Sequence, residues 1–127
     1  MIRTDHYEIS YDNRKNRFYF KIIGYWSDPS QVPDYIDHWK RMAAKARPGV
    51  TILTDVREMK VPGESIQALH QQAQTHIIEA GLAKVAEVTG SAVTKLSLDR
   101  VSKTSGMKAV KRSFTTVDEA EAWLDET

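Results

Sequence analysis

Residues 50–55 read Val50-Thr51-Ile52-Leu53-Thr54-Asp55, an apolar, β-branched run that opens after the breaker pair Pro48-Gly49 and closes on an acid. Its length and composition are those of a buried strand, too short for a core helix. Helical periodicity flanks it on both sides. Upstream, Val32, Tyr35, Ile36, Trp39, Met42, Ala43 and Ala46 make one apolar stripe, opened either at Asp28-Pro29 or at Pro33. Downstream, residues 65–80 carry Ile66, Leu69, Ala73, Ile77 and Ala80 at helical spacing, and Gly81 is placed to end them. A strand set between two helices belongs to a parallel sheet.

The alternation continues outward. Residues 84–89 read as a strand, 91–105 as a helix closed by Gly106, 109–114 as a strand, and 116–126 as a helix whose Thr116 and Glu119 are spaced as a capping box. Toward the N-terminus, Tyr7, Ile9 and Tyr11 alternate with polar residues. The turn-rich segment 12–16 then leads into a second alternating run, 17–25, which makes an antiparallel hairpin. The expectation is one α/β domain over residues 1–127: an N-terminal β-hairpin, then alternating elements, giving a mostly parallel sheet of about five strands with about four helices.

Composition narrows the function. Apolar residues make up 41% and charged residues 28% of the chain, close to globular averages. There is no cysteine, which removes disulfides, thiol nucleophiles and thiolate metal sites. Eighteen basic against 17 acidic side chains leave a formal charge of +1, no field for nucleic acid. The densest basic segment, 103–112, lacks aromatic residues for base stacking and reads as a solvated edge. No apolar run approaches the ~20 residues of a membrane span, and the first residues lack the pattern of a signal peptide. The expected location is the cytoplasm.

The chemistry-bearing residues gather by topology at the carboxyl ends of the strands, where open α/β sheets bind ligands. Trp26, Asp55, Arg57 and Ser91 fall there, with helix starts at Ser65, Ser91 and Thr116 turning backbone N–H groups toward the same edge. Two readings stand: a small anionic or phosphate-like site, or ordinary helix caps. Asp55 ends an apolar strand and needs a partner, either Arg57 or a helix N-terminus. Glu87 either faces solvent or sits polar in the core. His6, His38, His70 and His76 show no metal spacing, so neither a metal nor a cofactor is expected. No nucleophile elbow, dinucleotide fingerprint or phosphate loop occurs. In the helix 91–105, Ala92, Val93, Leu96 and Val101 make the broad apolar arc, while Leu98 points elsewhere and would suit self-association as a homodimer.

Four segments in this order resemble the STAS domain family, in its SpoIIAA-like, anti-sigma-factor-antagonist branch: Gly24-Tyr25-Trp26-Ser27, Ile52-Leu53-Thr54-Asp55, Val85 to Ser91, and Phe114-Thr115-Thr116-Val117-Asp118-Glu119-Ala120. The resemblance spans nearly the whole chain and implies a SpoIIAA-like fold. It further implies a regulatory, non-enzymatic module that binds a protein partner or a small anionic ligand. Trp26, Asp55, Arg57, Glu64, Ser65 and Ser91 would line its working edge. The family's regulatory members carry an Asp-Ser-Ser-Gly-like turn with a phosphorylated serine. Here that place reads Pro62-Gly63-Glu64-Ser65-Ile66, so that either Glu64 or Ser65 falls at the modified position. Ser65 is the candidate for phosphorylation. Related folds such as CRAL-TRIO domains hold apolar ligands, which makes a carrier of a small lipid-like molecule the alternative. An enzyme of unknown reaction comes third.

Overall fold

Ile2–Arg3 (β1) pairs antiparallel with Tyr7–Asp12 (β2), which pairs antiparallel with Arg17–Gly24 (β3) through the turn at 13–16. These strands belong to a computed structural model that describes residues 1–126, the side chain of Lys108 excepted; Thr127, the last residue of the expected domain, lies outside the described residues. The hairpin alternates as its sequence requires. Tyr7, Ile9, Phe18, Phe20 and Ile22 point into the core, and Arg17, Tyr19 and Lys21 take the opposite face.

The chain then steps across the sheet without reversing. Thr51–Met59 (β4), Lys84–Val88 (β5) and Lys111–Phe114 (β6) add in parallel, so the sheet's spatial order is the order of the sequence. Between them run Tyr35–Ala43 (α1), Glu64–Glu79 (α2) and Ala92–Ser105 (α3), and Val117–Asp125 (α4) closes the chain. Right-handed crossovers that all advance in one direction put their helices on one face. Accordingly α1 packs on α2 and α2 on α3, while α4 returns to the other face over β4, β5 and β6. The larger core lies under α1–α3. A smaller one, Leu53, Ala86, Val88, Ala120 and Leu124, lies under α4.

The α/β class and the four helices agree with the sequence reading, and four details correct it. β1 is a sixth strand, too short to show a pattern. β4 continues to Met59 rather than stopping at Asp55, its register against β3 shifting by a bulge between Lys21 and Ile23. Asp28-Pro29 opens only a short 3₁₀ turn, Pro29–Gln31, and α1 starts after Pro33-Asp34. Lys111, placed in a solvated basic edge by sequence, is buried: its side chain is 3% exposed, and its ammonium lies 3.3 Å from Glu87 and 2.8 Å from Asp99. β6 is an edge strand, but its inward face carries this ion cluster.

α3 departs furthest from its pattern. It buries Thr94, Ser97, Leu98, Val101 and Ser102 and turns Val93 and Leu96 outward, 65% and 64% exposed. Leu98 is therefore core and offers nothing to a second copy. With apolar residues on several faces of this helix, packing against α2 and the sheet, and not the local pattern, decides which face is covered.

Candidate functional site

At the carboxyl ends of the parallel strands, the loops are tied by backbone bonds from Lys60 N–H to the Gly24 carbonyl and from Thr89 N–H to the Phe114 carbonyl, 3.0 Å each. α2, α3 and α4 start from this edge after β4, β5 and β6, as α1 does after β3. α3 is capped by Ser91, whose Oγ accepts from Thr94 N–H at 3.4 Å. α4 is capped by Thr116, whose Oγ1 accepts from Glu119 N–H at 3.2 Å. α2 differs, with Gly63 at its N-cap and no side-chain cap bond. Glu64 and Ser65 sit inside its first turn and are exposed. Ser65 is thus a free hydroxyl near the positive end of a long helix, not the cap its sequence position suggested. Around these starts the chain exposes Tyr25, Val61, Val93 and Leu96.

Asp55 belongs elsewhere. It shares a face of β4 with Leu53, the face covered by α4, whereas α2 and α3 begin on the opposite side. Its carboxylate accepts from Arg57 Nε at 3.0 Å, Nη2 at 2.8 Å and the Arg57 backbone N–H at 3.1 Å. Residues two apart on a strand share a face, so the pair forms within one strand. Burial works against the charged carboxyl, but the Arg57 bonds and the charge of Lys21 hold it below its ordinary value. Lys21 pairs in turn with Glu58. With Glu8, Ser10, Tyr19, Lys21 and Leu53, Asp55 lines an open depression of about 220 Å³ beside Val117, the first residue of α4.

The proposed residues thus divide. Glu64 and Ser65 lie in the first turn of α2 and Ser91 at the cap of α3, both helices on one face of the sheet, and Asp55 and Arg57 occupy the other face. Trp26 joins neither: it is 1% exposed, donates from Nε1 to the His6 and Ile23 carbonyls at 3.1 and 3.2 Å, and packs 5.0 Å from the rings of Tyr35 and His70. That is a structural role. An indole with its N–H satisfied inward gives nothing to a surface.

Sequence reasoning missed an interior polar cluster. His70, 3% exposed, lies with Nδ1 3.0 Å from the Tyr35 hydroxyl, and burial lowers its pKa to about 4. Nearby, the Tyr7 hydroxyl lies 2.6 Å from His38 Nδ1. Burial, then the charge of Asp34, raises the Tyr7 pKa to about 12. Glu87 is 4% exposed. Burial raises its pKa against the pull of Lys111. A glutamate in an apolar strand signals that a cation must come from somewhere, but not that Lys111, on the neighbouring strand, supplies it. Among the described residues no group of three or more histidines and carboxylates is placed to hold a metal ion, and no helix is long and apolar enough to cross a membrane.

No protein-family model and no curated protein sequence matches the chain. Solved structures do. An uncharacterized DUF3478-family protein with a SpoIIAA-like fold from Shewanella loihica PV-4 superposes with a TM-score of 0.64 at 12% identity, covering 98% of both chains. An anti-sigma factor antagonist from Mycobacterium paratuberculosis superposes with a TM-score of 0.57 at 14% identity, covering 99% of this chain and 100% of the other. The chain has a SpoIIAA-like fold.

Proposed function

We propose that this chain is a non-enzymatic regulatory module that docks a protein partner on the helical side of its strand-end edge. The observation that carries the reading is the exposure of Tyr25, Val61, Val93 and Leu96 around the starts of α2 and α3, beside Glu64, Ser65 and Ser91. Exposed apolar side chains grouped with polar ones mark a docking surface more than a substrate cleft. The anti-sigma factor antagonist of like fold supports a regulatory role. Ser65 is the modification site of this proposal. A phosphate there would lie at the N-terminus of α2, compatible with the helix dipole, and would change the charge of the docking edge. Asp55 and Arg57, on the opposite face, would form a second, smaller contact for an anionic ligand.

The alternative of a carrier for a lipid-like molecule has less in its favour. The apolar cavity inside the fold measures about 50 Å³, against roughly 300 Å³ for small ligand pockets.

A photo-crosslinking amino acid at position 65 or 96, expressed in the protein's own host, tests the docking edge. One defined partner captured from both positions, and lost on Val93→Asp, is the expected result. Equal capture from a control position at Glu79, on α2's far end, would sink the reading.

A further inference from the structure

Phe20, Thr54 and Glu87 lie side by side across β3, β4 and β5, since Phe20 registers with Thr54 and Thr54 with Glu87. They floor a small, partly open cavity of about 50 Å³, lined also by Trp39, His70 and Leu98 among others. Its wall is mainly apolar, yet two buried polar atoms of lining residues have no hydrogen-bond partner among the described residues: Glu87 Oε1, an acceptor, and Trp39 Nε1, a donor. The other carboxylate oxygen of Glu87 is held by the Lys111 ammonium, which Asp99 also binds.

These constraints select an occupant by chemistry. Glu87 Oε1 calls for a donor. A cation there would sit against Lys111, whose charge already faces the same carboxylate. A neutral donor remains, and a hydroxyl meets that need: it donates to Glu87 Oε1, and the same kind of group can accept an N–H such as that of Trp39. Size sets the other limit: the volume suits roughly three or four non-hydrogen atoms, at about 10–15 Å³ for each water-sized position. We propose that this cavity is a binding site for small neutral hydroxylic molecules, hydrogen-bonded at Glu87 Oε1. Two sources share that chemistry, a cluster of internal water molecules and a short-chain alcohol. The site is separate from the docking edge and independent of it.

Oxygen-17 relaxation dispersion on the intact chain counts long-lived internal waters, and methyl NMR of Ile77, Leu98 and Met107 reports entry of ethanol as a probe. Roughly two to four long-lived waters are expected in the native protein. They persist in Glu87→Gln, whose amide oxygen stays with Lys111 and whose NH2 then donates to the hydroxylic oxygen, and disappear in Ala73→Leu, which fills the cavity from α2. A saturable ethanol shift at these methyls, absent at the exposed Val93, assigns the alcohol source. Waters without that shift assign water alone, and both outcomes uphold a hydroxylic site. Native protein with neither long-lived waters nor a saturable shift overturns it, and that reading does not depend on whether a variant folds.

Discussion

Arg17 on β3 and Asp125 on α4 meet at 2.9 Å across most of the chain's length, and the same guanidinium nitrogen reaches Glu121 at 2.6 Å. Its Nε donates to Thr51 Oγ1 at 3.0 Å. Only 4% of the Arg17 side chain is exposed, so this residue clamps α4 to the sheet's second face from beneath. Burial opposes the charge, and the carboxylates of Asp125 and Glu121 more than restore it.

Arg17→Met is therefore expected to cost about 2–3 kcal/mol of stability, because Thr51 and two carboxylates lose a charged donor at once. Hydrogen exchange should localise the effect: amides of α4 should exchange faster while those of α1 keep their protection. Uniform acceleration across all four helices would count against a local clamp.

His70 is neutral in the fold, its pKa pushed from 6.5 to about 4 by burial. The unfolded chain therefore binds a proton first as pH falls, and stability declines between about pH 6.5 and 4, by about 3 kcal/mol in all. The lowered carboxylates Asp55 and Asp99 lose their contribution only below about 3.8, their ordinary value. Glu87, with its pKa raised, acts in the opposite sense and favours the fold as pH falls. His70→Gln, which can keep the bond to Tyr35, should flatten the slope between pH 6.5 and 4 in urea melts. An unchanged slope would remove His70 as its source.

Gly81 ends α2 at φ +96°, and a Cβ there would lie 2.7 Å from Pro48 Cα. Its carbonyl also accepts from Gly49 N–H at 2.8 Å, so the two turns cannot move apart freely. Gly106 has a similar φ of +89° with open space around it. Gly81→Ala should cost about 3 kcal/mol and Gly106→Ala about 1 kcal/mol. Equal losses in thermal melts would show that backbone conformation, and not the Pro48 contact, sets the cost.

Asp55→Ala should lower stability by under about 1 kcal/mol, since its Arg57 partner is half exposed and solvent takes over the broken pair. The domain should remain folded by near-ultraviolet circular dichroism. Collapse of the fold would place Asp55 among the structural residues and end its candidacy as a contact for an anionic ligand.

The sequence by itself determined the class and order of the elements. Period-two alternation through Tyr7, Ile9 and Phe18, helical spacing from Ile66 to Ile77, and Gly81 and Gly106 at helix ends are local signals, written within a few residues of the structure they specify. The tertiary structure alone decided which face each polar side chain meets. Strand pairing set Asp55 on the side away from Ser65 and Ser91. Packing on α2 turned Val93 and Leu96 out and Leu98 in. Folding also brought Lys111 to Glu87 and drew Trp26 beneath the surface. Those outcomes depend on contacts between residues far apart in the chain, whose free energy outweighs any local preference of the residues concerned.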